Sequence, residues 1–550
     1  MLMRVATRLM LVVGALALAG PDAIAKDYFL VIGGGYSPDS NQASIESNVR
    51  FFQRTLGRLG SQGAVGEIYF ADGPDAGRNV QLLDDQERQN CPPARRIMTE
   101  LFGDADDVGL VYRNHTIADV AGPNDKALLR RRFRALGREL RSGDRVLIYV
   151  TGHGSEPSSD DYFYDEEAEE WVEKPKADDD DPASFDTLLH LWNDEDVSAS
   201  QFARWLDRWP PGVAVTLVMV QCYSGGFSHA IFHQNNHQFG LSPAQRCGFF
   251  AQVHDRPAAG CTPGMREADY REYSTYFWAA LGGAARDGTA VERPDYDGDG
   301  RVSLAEAHAY VVIESDTIDI PISTSDALLR HYSRLGQPAT PATEEPASPL
   351  SGLLGLLGAP QPEVEQPTPE LLAAVGPLEN WLTHARPDQQ AILTRLPPRL
   401  DLEEPLTVEA IRRAHAQAEH DLRAAIAGAA VTSTTAGEAR DVVKQAVQFL
   451  WPELGRSFTP TAAELTGERS DEFVAAVDAL PSYQAFQTAE QLRREAEVAA
   501  EAAGRREAQL KRLIHAVESI VLATNLPRCA PDKIVRRYHE LIALERQSFD

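Results

Sequence analysis

In the first half of the chain, short runs of strand-forming residues alternate with stretches whose apolar residues recur every three or four positions. The runs lie at 27–32, 67–70, 109–112, 145–151 and 213–221. Between them Ile45, Val49, Phe52, Leu56 and Leu59 share one helical face, as do Leu129, Phe133, Leu136 and Leu140, and then Phe202, Trp205, Leu206 and Trp209. A chain that returns to its sheet through a helix adds each strand in parallel, with helices on both faces. The expected fold is therefore α/β, a three-layer α/β/α sandwich around a mostly parallel sheet. In such sheets the chemistry lies beyond the carboxyl ends of the strands. Two of those ends carry reactive groups: RVLIYVTGHGS reaches His153, and VTLVMVQCYSGGF reaches Cys222.

The alternation stops near residue 335. GQPATPATEEPASPLSGLLGLLGAPQPEVEQPTPE, at 336–370, has prolines spaced to prevent regular structure and reads as a semi-rigid linker. Its LSGLLGLLG stretch is apolar enough for a docking segment or a short helix. From 371 to 550 helical periodicity dominates, as in Leu510, Leu513, Ile514, Val517, Ile520 and Val521, which predicts a separate all-α domain. Its charged stretch AEQLRREAEVAAEAAGRREAQLKRL lacks a sustained heptad and reads as a bundle helix.

A formal net charge of -28 argues against nucleic acid and anionic lipid as partners, since both select clustered Lys and Arg. Residues 1–25 carry Arg4 and Arg8, the apolar run 9–19 and Ala23-Ile24-Ala25, the pattern of a cleaved secretory signal. No later run is long enough for stable membrane insertion. The expected product begins at Lys26 and is secreted or periplasmic. Outside the cytoplasm thiols tend to pair, and of five cysteines one must be left over. Cys247 with Cys261, and less strongly Cys91 with Cys529, are the expected disulfides, leaving Cys222. The acidic stretch between His153 and Cys222, SEPSSDDYFYDEEAEEWVEKPKADDDDPAS, reads as a solvated insertion.

A thiol attacks carbonyls as the thiolate, so Cys222 needs a base, and His153 at a second strand end supplies one if the two strands are neighbours. Gly154 leaves its N–H accessible for an oxyanion. Ser224, Gly225 and Gly226 would admit substrate backbone and let a helix begin. Alone, a cysteine ending an apolar strand reads as a small core residue; the pairing with His153 changes that.

These segments resemble the caspase-hemoglobinase fold of cysteine peptidases, and within it the legumain-like branch, over roughly residues 27–335. The resemblance is carried in order by YFLVIGGGYSPDSNQASIESN, VLIYVTGHGS, LWNDEDVSASQFARWLDRW and VTLVMVQCYSGGF. It implies a caspase-like core, Cys222 as nucleophile, His153 as the group that protonates the leaving amine, and the N–H groups of Gly154 and Cys222 as oxyanion donors. It also places Asn41 near the dyad. Legumains carry an acid two positions before the cysteine, where this chain has Val220, so their asparagine preference does not carry over. Arg271 and Glu272 are charged candidates for the substrate pocket, with a surface role the simpler reading.

DYDGDGRVSLAE, at 295–306, matches the twelve-residue EF-hand loop, with Asp295, Asp297, Asp299, the carbonyl of Arg301, Ser303 and a bidentate Glu306 as ligands and Gly300 at the turn. These oxygen donors predict a structural Ca²⁺. His229, His233 and His237 recur every four residues; without a carboxylate or cysteine framework they read as solvent-facing or substrate-loop histidines before a zinc site. GGGY at 33–36 does not continue as a phosphate loop.

The expectation is thus an exported, calcium-stabilised cysteine endopeptidase acting on protein or peptide substrates, with a helical carboxyl-terminal part serving as an intramolecular prosegment, partner-binding module or targeting device. The alternatives are an inactive caspase-like calcium-binding scaffold, or a transpeptidase using the same dyad.

Overall fold

The computed structural model describes residues 25–59, 65–75, 77–157, 162–165, 170–173, 181–260, 270–337, 371–402, 404–455 and 459–549. The expected signal except its last residue, half of the acidic insertion, nearly all of the Pro-rich segment and Cys261 lie outside them.

The main elements are β1 (Asp27–Gly34), α1 (Ala43–Arg58), β2 (Val65–Phe70), β3 (Val120–Gly122), α2 (Lys126–Glu139), β4 (Arg145–Gly152), α3 (Ala199–Leu206), β5 (Ala214–Met219), β6 (Gln245–Phe250), α4 (Tyr273–Gly282), α5 (Leu304–Glu314), β7 (Ile322–Ser323), α6 (Thr324–Tyr332), α7 (Val408–Leu450), α8 (Pro481–Cys529) and α9 (Asp532–Glu545). The seven strands form one sheet in the order β7-β6-β5-β4-β1-β2-β3. Every pair is parallel except β6 with β7.

Strand residues alternate between two cores, as the period of two requires. Phe29, Val31, Leu147, Tyr149 and Val218 face α1, α4 and α5, where they meet Val49, Phe52, Trp278 and Val311. Leu30, Ile32, Ile148, Val150 and Leu217 face α2 and α3, where they meet Phe133, Leu136, Phe202 and Trp205. The three layers follow from that alternation. One strand was misplaced by sequence reasoning: the run at 109–112 forms Leu110–Arg113, which pairs antiparallel with Val80–Leu83 outside the main sheet. The sheet edge is instead the three-residue β3, too short to leave a pattern.

The helical part follows the α/β part in sequence but does not stand off from it. Val408, Ile411, Leu510, Leu513 and Val517 of α7 and α8 share a core with Ala309, Val312 and Ile313 of α5. At the far end Val443, Val447, Tyr483 and Phe486 enclose Ala94, Ile97 and Leu101 of the helix Pro93–Phe102. Residues of α9 pack with Leu328 and Leu329 of α6. The long helices run antiparallel, since Arg412 meets Glu518 at 3.4 Å and His415 meets Glu507 at 2.9 Å. At about 1.5 Å per residue they are roughly 65 and 75 Å long, enough to join two of these shared cores.

The chain also leaves and re-enters at one place. Gly336 N–H donates to Leu372 O at 2.8 Å, and the buried Asn525 amide of α8 donates to Arg334 O and Leu372 O, both at 2.9 Å, while accepting from Leu372 N–H. The Pro-rich segment therefore does not have to bridge a distance between two halves.

Cys91 and Cys529 are unbridged thiols, contrary to the expected disulfide. Cys247 is unbridged too: its side chain points into the core shared by α6 and α9, beside Thr216 Oγ1 at 3.5 Å, and burial pushes its thiol up to about 12. Among the described residues no helix is long and apolar enough to cross a membrane.

Candidate active site

β4 and β5 are adjacent, parallel and in register from Ala214 opposite Arg145 to Met219 opposite Val150. Val220 N–H donates to Val150 O at 3.0 Å, which extends the ladder one step. Continued at the same register, Cys222 falls opposite His153. Gly154 makes this convergence feasible: a Cβ there would lie 2.5 Å from Cys222 O and 2.7 Å from Leu188 O. Only glycine allows the two strand ends to approach so closely. Gly154 pairs antiparallel with Leu189, flanked by the His190 N–H to His153 O bond at 3.0 Å. It occupies the non-hydrogen-bonded position of that ladder, so its N–H points away from the partner strand.

The His153 ring is held from the β1 side. Its Nε2 lies 2.7 Å from Ser40 O and 2.9 Å from Gln42 Oε1. Both partners are acceptors, so Nε2 carries the proton and Nδ1 keeps the lone pair. Burial pushes His153 below the ordinary histidine value; the Ser40 bond opposes that shift, and nearby His190 adds to it. That shift favours the neutral imidazole, the form needed in a base. Tyr36 stands between the rings of His153 and His190, with centroids 5.7 and 5.6 Å away, and His190 Nδ1 pairs with Asp196. The LWNDEDVS stretch is thus at the site.

The loop carrying Ser40 and Gln42 owes its shape to Asn41. Fully buried, its Oδ1 accepts from Gly35 N–H at 3.0 Å and its Nδ2 donates to Asn79 O at 2.8 Å. Asn41 lies between Ser40 and Gln42, both of which meet His153, and its own side chain organises the loop. Gly35 is required here as well, since a Cβ would lie 2.3 Å from Ser40 O.

The thiol has its own partner. Ala258 N–H donates to Cys222 Sγ at 3.2 Å, and Ala258 O lies 3.8 Å away. The next residue, Tyr223, takes a left-handed φ of 57° and opens the 3-10 helix Ser224–Ile231, so no α-helix begins after the thiol. Gly225 and Gly226 serve internal packing: a Cβ at Gly225 would meet Gln252 O and His254 N at 2.7 Å, and one at Gly226 would meet Thr187 Oγ1 at 2.2 Å. Their expected role in admitting substrate backbone is replaced by this one.

Val220, where an acid was looked for, is a core residue beside the α1 and α4 helices. Glu272 is buried, caps α4 through Ser274 N–H and Thr275 N–H, and pairs with buried Arg286 at 2.9 Å. Arg271, next to it, is exposed. The histidine row does not share a helical face, because Gln234 breaks the turn at φ 56°. His229 is buried, stacked on Phe185 at 3.6 Å, and His237 approaches it at 5.8 Å, whereas His233 turns to Asp207 at 3.3 Å.

In the acidic loop, one carboxylate oxygen from each of Asp295, Asp297 and Asp299 lies within 4.8 Å of the others, and Gly300 takes φ 88°. Glu306 is turned elsewhere. Its Oε1 accepts from Tyr296 N–H at 2.7 Å and Asp297 N–H at 3.0 Å, and its Oε2 from Ser303 N–H at 2.8 Å, forming the capping box of α5. Arg301 N–H donates to Asp299 at 2.8 Å, and Arg546 pairs with Asp297 at 2.6 Å. The three aspartates fit a hard divalent cation, while Ser303 and Glu306 are engaged with each other and with backbone N–H groups in the α5 cap.

Sequence reasoning did not find Ser40 O, Gln42, Tyr36, His190 or the Ala258 N–H. Gln42 had a faint signal as the residue before a helical run. The carbonyl and the N–H had none, since any residue type supplies them.

No family model matches this chain, and no curated protein matches it. Among solved structures, protein GSU0716 from Geobacter sulfurreducens is similar over 54% of this chain and 92% of its own, at 10% identity and a TM-score of 0.29.

Proposed function

We propose that the protein is a legumain-like cysteine endopeptidase in which Cys222 and His153 cleave peptide bonds through a thioacyl-enzyme. The observation that carries this reading is the convergence of the two strand ends, with Gly154 packed against Cys222 O and the His153 Nε2 proton committed to Ser40 O and Gln42.

His153 Nδ1 takes the thiol proton, and the Cys222 sulfur attacks the substrate carbonyl carbon. The oxygen that gains the charge is met by the N–H groups of Gly154 and Cys222. His153 returns its proton to the departing amine nitrogen as the C–N bond breaks, leaving a thioester on Cys222. Water, deprotonated by the same nitrogen, attacks that thioester and releases the acid and the thiol. The lowering of His153 by burial favours the neutral imidazole that suits the first step, and the Ala258 N–H favours the sulfur once it is charged.

Ca²⁺ is proposed as a structural ion at Asp295, Asp297 and Asp299. Glu306 and Ser303 would join only by leaving the α5 cap. Bound there, the ion would cross-link the loop to α5, with no part in the reaction.

The test is turnover of a diverse peptide library by the full chain and by Cys222→Ala, with and without Ca²⁺. Turnover by the wild type alone is expected. Equal turnover by both, or by neither, contradicts the peptidase reading.

A further inference from the structure

The helical part reaches the thiol through two contacts, each made by a buried side chain of α8, that the peptidase reading does not use. The loop bearing Ala258 is stapled to the segment 315–320: Ala259 N–H donates to Asp319 Oδ1 at 2.7 Å, and Gln252 Nε2 donates to Pro257 O at 2.9 Å while its Oε1 accepts from Ile320 N–H at 3.1 Å. Both pieces are then held from α8. Arg512, buried, donates from Nε to Asp319 O at 2.7 Å, from Nη1 to Ser315 O at 2.6 Å and from Nη2 to Thr317 O at 2.7 Å. Five residues earlier on the same helix, Glu507 binds Arg256 at 2.7 and 3.2 Å, and Arg256 O accepts from Tyr223 N–H, beside Cys222, at 3.0 Å.

We propose that Arg512 and Glu507 are positioning residues for the Cys222 thiolate, acting through the 256–259 loop, whose Ala258 N–H they hold on the sulfur. This rests on the reading of Cys222 as nucleophile and adds to it the role of the carboxyl-terminal helices: they are part of the catalytic apparatus rather than a cover to be removed. Three observations support it independently. A guanidinium whose donors are spent on three carbonyls of one loop fixes that loop in place, because each bond released would leave a buried group unpaired. Glu507 is held well below the usual carboxylate range, at about 2; burial acts against this, but the His415 and Arg256 bonds outweigh it. The Asn525 clasp at Arg334 and Leu372 and the shared cores keep α8 seated whatever happens to the segment between.

The loop is held from within the α/β part by Gln252 and Asp319, and from α8 by Glu507 on Arg256 and by Arg512 on the Asp319 segment. A hydrogen bond to a charged acceptor is roughly twice as strong as a neutral one, so releasing Ala258 from Cys222 disfavours the thiolate specifically. The thiol form, which accepts that bond weakly, is affected less.

The experiment follows the pH dependence of Cys222 alkylation by iodoacetamide, read by peptide mass spectrometry on the full chain. It compares wild type, Glu507→Gln and Arg512→Lys, with Cys91 as internal reference and far-UV circular dichroism as the check on folding. Glu507→Gln removes the charge while keeping the shape, and Arg256 is partly exposed, so this variant stays folded even if Arg512→Lys does not. In each folded variant the Cys222 rate at pH 7 falls about tenfold, the loss expected for a thiol pKa about one unit higher, while Cys91 is unchanged. Recombining Glu507→Arg with Arg256→Glu restores the rate. If Cys222 titrates below Cys91 in the wild type and identically in folded Glu507→Gln, the positioning role is wrong and the nucleophile stands. If Cys222 and Cys91 titrate together in the wild type, the Ala258 N–H does not favour the thiolate and the positioning role is wrong; the nucleophile itself falls only if Cys222→Ala turns over peptides as the wild type does.

Discussion

The strand-end site and the acidic loop are both motif sites, and they are built in opposite ways. The acidic loop is local: twelve consecutive residues place three aspartates within 4.8 Å and a glycine at φ 88°. Its weak point is also local. Ser303 and Glu306 stand at the spacing of a capping box, and α5 uses Glu306 for that purpose. A cation that recruited Glu306 would therefore compete with the helix for that carboxylate. At the strand ends nothing is local: 69 residues separate His153 from Cys222, and β-sheet register unites them. His153 is held through Nε2 by Ser40 O and Gln42, and Cys222 Sγ is met by the Ala258 N–H. A contiguous motif guarantees proximity but not availability of its groups, whereas a site assembled by the fold can reserve its groups.

Several variants break or sharpen that contrast. The largest stability effect belongs to Arg286→Ala, which leaves the buried Glu272 carboxylate unpaired beneath α4; a loss of about 3–5 kcal/mol is expected in denaturant unfolding. Next, Gln42→Ala removes one of two acceptors of the His153 proton. Turnover is expected to fall about tenfold, with a change in the pH profile and with melting temperature nearly kept, whereas Gln42→Glu retains an acceptor and shifts the acid limb upward. Ca²⁺ at millimolar concentration is expected to raise the melting temperature relative to chelator, by a margin equivalent to about 2.7 kcal/mol at hundredfold excess over Kd. Asp297→Asn abolishes that rise and leaves peptide turnover intact in chelator. A Ca²⁺ effect on turnover of folded enzyme would erase the division between the two sites.

A further effect concerns pH. Burial pushes Glu545, in α9, up to about 7, although Arg386 and hydrogen bonds from Ser325 and Thr324 oppose it. Its folded value lies above its unfolded one near 4.5, so its contribution is fully present below the unfolded value and is lost as pH rises through about 7. Glu545→Gln is expected to flatten the decline of melting temperature over that window. A slope identical to wild type would show that Glu545 does not titrate there.

The sheet, its parallel sense and both helical layers were legible because side-chain period and burial are coupled: Phe133 and Phe202 were visible as core before they were placed. The edge strand β3 was not, having three residues in which to show a pattern. Cys222 and His153 were legible because their chemistry is in the side chain. Ser40 O and the Ala258 N–H were hidden because backbone groups carry no residue signature, and the disulfide expectations failed because cysteine counting ignores direction: Cys247 points into a core beside Thr216. Nor does a helical tail reveal from its periodicity that Arg512 reaches three carbonyls of another segment.

The central claim, that the fold reserves Cys222 and His153 for one reaction, is tested most directly by a mixed pool of peptidyl acyloxymethyl ketones, with the modified cysteine mapped by mass spectrometry. The account predicts a thioether on Cys222, formed at least about a hundredfold more slowly in His153→Ala, with Cys91 and Cys529 essentially unlabelled. Labelling of Cys91 as fast as Cys222, or a rate indifferent to His153, would contradict it.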